Sequence, residues 1–567
     1  MKRSALVVAC ASATLLIMAG SSSREYAHAS TAFGQSDGKS APTANLARME
    51  QVVESFVNDK QFMGAVLVAR GNDVLLDKGY GFANLEWHVP DSPKTKFRLG
   101  SITKQFTAAA ILLLEERGKL KVDDPVKKYM PDAPAAWSKI TIFNLLTHTS
   151  GIPNFTSFPD YRKLEPFAAT PEELVMRFRD KPLDFQPGEK WNYSNSGYVL
   201  LGYLMEKISG ESYAQFVEDN LFKPLGMVDS GYDSNSAVIE DRASGYAPSQ
   251  NGIVNAGYID MTIPLSAGGL YSTTEDLLRW EQGLFGGKLL SAASLKKMTT
   301  PFKNDYAFGL GVRSVNGHEE IAHGGGIEGF NTALAYYPDE KLTVVVLANV
   351  NGPAQEIATD LHTIVEGGSV VLMSERKVGK IDPKTFDGYV GSYQLAPGVI
   401  AKVSREGDRF MTQLTGQGPV EIFPEGDHDF FAKVVNAQIT FVTNSQGQAT
   451  ELILHQGGRD QHAPRVERVT GEPKEHKQVQ VNTKLWDGYV GNYQLAPNFS
   501  IAITREGDHL FEQATSQPKS EIFPESDKDY FLKVVDAQLT FVTDAHGRAT
   551  ELILHQGGAD QHAKRVE

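Results

Sequence analysis

Hydrophobic positions along the chain fall into two textures. Asn45 to Asp59 has helical spacing, with Leu46, Met49, Val52, Val53 and Phe56 on one stripe. Gly64 to Ala69 and Val74 to Tyr80 read as two strands joined by a Gly71-Asn72-Asp73 turn. A long helix is predicted from Ser101 to Arg117, stopped by Gly118. Thr332 to Tyr337 and Leu342 to Val350 read as two further strands around Pro338-Asp339. Strands at both ends with helices between them predict an α+β domain: an antiparallel sheet flanked by helices, not a βαβ series.

Beyond Val378 the pattern shortens to strands and turns, and it repeats. Asp387-Gly388-Tyr389-Val390-Gly391 returns as Asp487-Gly488-Tyr489-Val490-Gly491, and Glu451 to Gly458 returns as Glu551 to Gly558. Both returns share one offset, and more than half of the positions between them match, which indicates a tandem duplication. Glu406-Gly407-Asp408 and Ser445-Gln446-Gly447 sit where hairpin turns belong. Each copy has room for roughly seven or eight short strands, enough for a small closed barrel. Tyr389, Tyr393, Phe423, Phe430 and Phe431 recur at strand spacing and are read as core.

Length and the N-terminus add boundaries. A chain of 567 residues exceeds one ordinary core. Lys2-Arg3, the apolar run Ala5 to Gly20 and Ala27-His28-Ala29 have the order of a signal peptide, residues 1–29. The expected organisation is then a polar tether at 30–44, an α+β domain at 45–373, all-β repeats at 380–468 and 482–567, and a linker at 469–481. Cleavage after Ala29 removes Cys10, the only cysteine, leaving no disulfide, thiolate metal site or cysteine nucleophile. The expectation is an exported protein, periplasmic or extracellular, with no membrane span after cleavage. A formal net charge of −14 argues against a nucleic-acid partner.

Three islands carry chemistry: Ser101-Ile102-Thr103-Lys104, Tyr193-Ser194-Asn195 and His323-Gly324-Gly325-Gly326. A serine hydroxyl is a poor nucleophile until a neighbouring base takes its proton. Residues three apart on a helix share a face, so Lys104 stands beside Ser101. The helix N-terminus favours negative charge there, and its free N–H groups can hold an oxyanion. To act as a base, Lys104 must be neutral part of the time, which burial achieves. The glycines after His323 allow a strand edge to approach a substrate closely.

Phe97 to Ala108 resembles the nucleophile segment of the serine β-lactamase and penicillin-binding-protein superfamily. Within it the chain is most similar to the class C β-lactamase-like family of D-alanyl-D-alanine carboxypeptidases, D-aminopeptidases and esterases. Leu145 to Pro153, Pro187 to Gly202 and Ser266 to Thr273 continue the resemblance, which runs from about Asn45 to Asn351. It implies a serine hydrolase with an acyl-enzyme at Ser101. Tyr193 would shuttle the proton, its phenolate favoured by Lys104, and Asn195 would hold the substrate's amide. His323, Gly324 and Gly325 would line the substrate, and the N–H groups of Ser101 and Gly326 would form the oxyanion hole. No cofactor and no metal are implied. Histidine at 323, where a lysine might stand, is mostly neutral at pH 7 and turns the expectation from antibiotic hydrolysis towards D-amino-acid peptidase or esterase work.

The repeats resemble the lipocalin-like domains appended to some D-amino-acid-directed peptidases. Expected partners are small peptide, ester or β-lactam substrates and peptidoglycan fragments. A competing class is a penicillin-recognising or wall-binding protein that acylates without turnover. His455 with His462, repeated as His555 with His562, suggests a metal pair, but no recurring acidic partner stands at ligand spacing in the sequence.

Overall fold

The computed structural model describes residues 42–249, 252–315, 317–396, 399–415, 417–433, 437–456, 459–466, 478–496, 499–515, 519–532, 537–556 and 559–566. The expected signal peptide with Cys10, most of the tether and 469–477 of the expected linker lie outside these residues, as do the closing glycines of the repeated Glu451 and Glu551 motifs. The chain divides between Arg376 and Lys377 into two compact units, close to the expected edge of the α+β domain. No helix among the described residues is long and apolar enough to cross a membrane.

In the first unit, six antiparallel strands run in the order Gly311–Val315, His318–Ile327, Phe330–Tyr337, Leu342–Ala348, Gly64–Arg70, Asp73–Tyr80. The strand from the start of the domain therefore lies beside the one near its end, with Val66 opposite Val346. Period-two alternation splits their side chains between two cores. Val66, Val68, Val344 and Val346 pack with Met49, Val52, Val53, Ile357 and Leu361 from the helices Pro42–Asn58 and Ala354–Val365. Ala65, Leu67, Val345 and Leu347 face the larger core, which contains the helix Thr103–Glu116. Each fully buried aliphatic side chain is worth roughly 1.5–3 kcal/mol, so this two-sided burial fixes the strand register.

The helix at 103–116 starts two residues later than the sequence pattern suggests. Gly100–Ile102 forms a 3-10 turn ahead of it, with Gly100 at φ 54°. The tighter turn places Ser101 at the rim and Lys104 inside the first α-helical turn.

The second unit contains two closed barrels of eight antiparallel strands each. The first runs from Gly391–Ala396 to Arg459–Val466, and the second from Gly491–Ala496 to Ala559–Val566. The last strand returns to the first, with Tyr393 opposite Arg465 and Tyr493 opposite Arg565. A short helix seals each barrel and inserts an aromatic ring, Phe386 or Trp486, into the core. Tyr389, Tyr393, Phe430 and Phe431 are buried, and Phe423 is half-buried.

Candidate active site

The three islands meet at Ser101. Tyr193 donates its hydroxyl to Ser101 Oγ at 2.8 Å, and Lys104 Nζ lies 2.9 Å from the same oxygen. Lys104 is fully buried, with Asn195 Oδ1 at 2.9 Å and the carbonyl of Ala267 at 2.8 Å. Both of those oxygens can only accept. A neutral amine has two protons, which they take, leaving its lone pair facing the Ser101 hydroxyl. Burial lowers the Lys104 pKa well below its ordinary value, in keeping with that neutral form.

Tyr193 shifts the other way. Burial raises its phenol above the ordinary value, opposed by the hydrogen bond to Ser101. The sequence resemblance makes Tyr193 the proton shuttle, its phenolate favoured by Lys104. Burial disfavours the charged form of both groups, which favours a neutral phenol beside a neutral amine. The rings of Tyr193 and Tyr198 lie 4.8 and 5.5 Å from Lys104 Nζ.

Asn195 begins the helix Asn195–Ser209, which brings it and Tyr193 to the nucleophile. Its Nδ2 donates to Thr156 Oγ1 at 3.1 Å while Oδ1 faces Lys104. Both ends of the amide expected to hold substrate are thus already engaged within the protein.

His323 to Gly326 lie in the strand His318–Ile327, not in a turn. Two contacts explain one glycine of this strand and one of the nucleophile turn. A Cβ on Gly325 would stand 1.9 Å from the carbonyl oxygen of Leu99, and a Cβ on Gly100 would stand 2.8 Å from the nitrogen of Gly326. Thr332 Oγ1 donates to that same Leu99 carbonyl at 2.8 Å, tying the neighbouring strand to the nucleophile turn. The hairpin turns through Glu328-Gly329, with Ile327 opposite Phe330 and Gly326 opposite Asn331. With the flanking pair hydrogen-bonded, antiparallel alternation directs the Gly326 N–H off the strand edge, towards Gly100 and Ser101.

His323 is held neutral. Its Nδ1 lies 2.6 Å from the Gly324 carbonyl, which can only accept, so Nδ1 carries the proton. Nε2 then accepts from the Tyr306 hydroxyl at 3.0 Å. Desolvation above all pushes its pKa down to about 4.

Residues that sequence reasoning gave no role complete the wall. His148 is 1% exposed, adopts φ 56°, and packs 4.3 Å from the Tyr193 ring and 4.7 Å from that of Tyr306. Its Nδ1 accepts the Ser194 N–H at 3.1 Å, and burial lowers its pKa well below the ordinary value. A left-handed, non-glycine residue beside a candidate nucleophile is a usual mark of a functional site. His148 lies inside the Leu145 to Pro153 stretch, but no spacing rule singles it out, and nothing in the local sequence marks Tyr306. Behind the turn, Asp233 is fully buried and accepts from Arg98 Nε and Arg242 at 2.6 Å each. This pair anchors the strand that leads into Leu99-Gly100-Ser101.

The repeated histidines stand apart. His455 Nδ1 meets Asp460 at 2.6 Å and His462 Nδ1 meets Glu451 at 2.9 Å, and the second barrel repeats both pairs. Acidic partners therefore do recur, contrary to the sequence reading, because strand pairing supplies them across a hairpin. Each imidazole is paired with one carboxylate.

Residues 375–471 and 475–565 match a domain of unknown function, DUF3471, once per barrel. The chain is 29% identical to "Penicillin-binding protein 4*" of Bacillus subtilis, over 74% of this chain and 98% of that one. It is 31% identical to the "Putative penicillin-binding protein PbpX" of the same organism, over 56% of this chain and 78% of that one. Among solved structures, the octameric penicillin-binding protein homologue from Pyrococcus abyssi superposes with a TM-score of 0.54 at 25% identity, covering 74% of this chain and 99% of that one. Residues 49–368, more than half of the chain, match the β-lactamase family, and the chain belongs to that family of β-lactamases and penicillin-binding proteins.

Proposed function

We propose that this chain is an exported serine hydrolase that cleaves amide or ester bonds through an acyl-enzyme. The observation that carries the reading is the hydrogen bonding at Ser101 Oγ, with a buried amine on one side and a phenol on the other. Lys104 takes the Ser101 proton as Oγ attacks the substrate carbonyl. The N–H groups of Ser101 and Gly326 hold the oxyanion. Tyr193 protonates the leaving group and recovers its proton from Lys104. Water then attacks the acyl group, activated by the same pair, and Ser101 is restored. Because the two groups are coupled, they titrate as a unit. Asn195 keeps the amine oriented.

The substrate class follows from family membership and from His323. Relatives named as penicillin-binding proteins support D-amino-acid peptides, peptidoglycan stems included. A neutral histidine provides no cation for a free substrate carboxylate. Amides and esters therefore stand ahead of carboxypeptidase substrates and β-lactams, and the site of action is periplasmic or extracellular.

The test is intact-mass labelling of wild type and Ser101→Ala with a fluorophosphonate and a β-lactam. Turnover of D-amino peptide amides, nitrophenyl esters and a chromogenic cephalosporin is measured alongside. Labelling is expected to vanish in Ser101→Ala, and amides or esters are expected to turn over fastest. Adducts that persist in Ser101→Ala would refute the nucleophile. An acyl adduct that never clears would replace the hydrolase with a binder.

A further inference from the structure

At the far end of the strand that carries His323 lies a second cluster of polar side chains. His318 opens this strand, eight residues before Gly326, which is about 26 Å at 3.3 Å per residue. Glu340 lies in the turn between Phe330–Tyr337 and Leu342–Ala348, and Glu366 caps the helix Ala354–Val365. One donor atom from each of the three lies within 4.8 Å of the others. None belongs to the machinery around Ser101.

The contacts have the order of a metal centre. His318 Nδ1 is 2.7 Å from Asp339 Oδ2, which orients the ring and makes Nε2 the nitrogen that turns to Glu366 and would bind an ion once deprotonated. That Nε2 lies 3.2 Å from Glu366 Oε2, close to the edge of about 3.3 Å between two ligands on a tetrahedral zinc. Glu340 is nearly buried, and its Oε2 accepts from Nε2 of the fully buried His362 at 2.9 Å, leaving Oε1 for a cation. His318 and Glu340 are thus each oriented by a partner behind them.

A cation already stands between the two glutamates. Arg70 reaches Glu340 Oε1 and Glu366 Oε1, both at 3.4 Å, from a half-exposed side chain. Those distances are long for a charge-assisted bond, which is usually about 2.7–2.9 Å. Three carboxylates, Asp339, Glu340 and Glu366, therefore share one loosely held guanidinium and two imidazoles, His318 and His362. The guanidinium can swing out to solvent.

We propose that His318, Glu340 and Glu366 form a structural site for a first-row divalent cation, zinc above all. Arg70 is the side chain it displaces. The imidazole donor argues against Ca²⁺ and Mg²⁺, which take oxygen ligands. The ion would join the strand His318–Ile327, the turn after Phe330–Tyr337 and the end of Ala354–Val365. It would brace the sheet from the end opposite the nucleophile. The sequence hides the site because its ligands come from three separate elements.

The test uses the full-length protein, stripped with EDTA and dialysed, then titrated with ZnCl₂ by calorimetry. Co²⁺ absorption reports the coordination geometry. One saturable site is expected, together with a rise in Tm on adding zinc. His318→Gln and Glu366→Gln should abolish both. Asp339→Asn should weaken binding ~10–100-fold, the usual cost of losing a partner behind a ligand. Arg70→Gln should tighten it, and His455→Gln with His555→Gln should leave it unchanged. If His318→Gln fails to fold by circular dichroism, Glu366→Gln at the helix end decides. The proposal is overturned by the absence of saturable binding at about 0.1 mM zinc. It is equally overturned by wild-type stoichiometry and affinity in a folded Glu366→Gln protein.

Discussion

The hydroxyl of Tyr306 donates to Nε2 of His323 at 3.0 Å, and that bond completes a neutral imidazole whose other nitrogen is bound to Gly324. The pKa of His323 sits at about 4, so its charge does not change between pH 5 and 8. The kcat/KM profile on an uncharged substrate should therefore show no break near pH 6.5. In His323→Lys, preference for a carboxylate-bearing substrate over its amide should rise ~10-fold, or about 1.4 kcal/mol. Equal kcat/KM ratios in the two proteins across a matched substrate pair would contradict this account of specificity.

Lys104 sets a pH dependence of both rate and stability. The amine must be free to accept the Ser101 proton, so kcat/KM should rise with pH and level off well below the ordinary lysine pKa of ~10.4. Lys104→Arg, which stays protonated, should lose at least ~10³-fold in kcat. For stability the sign follows from proton uptake. Between the lowered folded pKa and ~10.4, the unfolded chain binds a proton that the folded chain does not, so stability rises with pH through that window. Below the window both states are protonated and the full cost of a buried charge remains. Urea unfolding of wild type and Lys104→Met from pH 5 to 10 should show this slope in wild type and a flatter one in the variant.

The site was legible where its chemistry is local. Ser101 and Lys104 are three residues apart on one turn, and a period of 3.6 brings them together without tertiary information. Tyr193 and His323 to Gly326 were legible only through motif resemblance, since their meeting depends on strand order across the domain. His148 and Tyr306 were not legible. A buried histidine with a left-handed backbone has no period, and Tyr306 matters only through its contact with His323. How the proton is shared between Lys104 and Tyr193 depends on the depth of burial, which sequence cannot measure. In the barrels, strand aromatics such as Tyr393 and Phe430 betrayed the core, whereas Tyr389 reaches it from the turn before the first strand. Closure through Tyr393 opposite Arg465 is a pairing at long range, and length alone suggested it.

Glycines 325 and 326 should separate packing from chemistry. A side chain on Gly325 collides with the Leu99 carbonyl at 1.9 Å, whereas a Cβ on Gly326 meets nothing within 4 Å. Gly325→Ala should cost about 1–3 kcal/mol of stability and displace the strand from the nucleophile turn, lowering kcat. Gly326→Ala should fold as wild type, and its effects should be confined to substrates that press on the strand edge. Thermal unfolding and kcat/KM measured together distinguish the two. Similar losses of Tm in both variants would remove the distinction.

The two barrels differ at several core positions, and one contacting pair changes polarity. Phe386 faces Phe430 in the first, with ring centroids 5.3 Å apart. In the second, Trp486 and Tyr530 take these places, and the indole Nε1 donates to the phenol oxygen at 2.8 Å inside the core. The two changes compensate, since a buried indole N–H needs an acceptor and the added hydroxyl provides one. Tyr530→Phe should leave that donor unpaired and destabilise the second barrel by about 1–3 kcal/mol. Trp486→Phe with Tyr530→Phe restores the first barrel's pair and should recover part of the loss. Hydrogen exchange resolved by barrel reads the effect directly, with faster exchange expected in 491–566 and none added in 391–466. A double variant no more stable than Tyr530→Phe alone would show that the lost stability does not come from the orphaned indole.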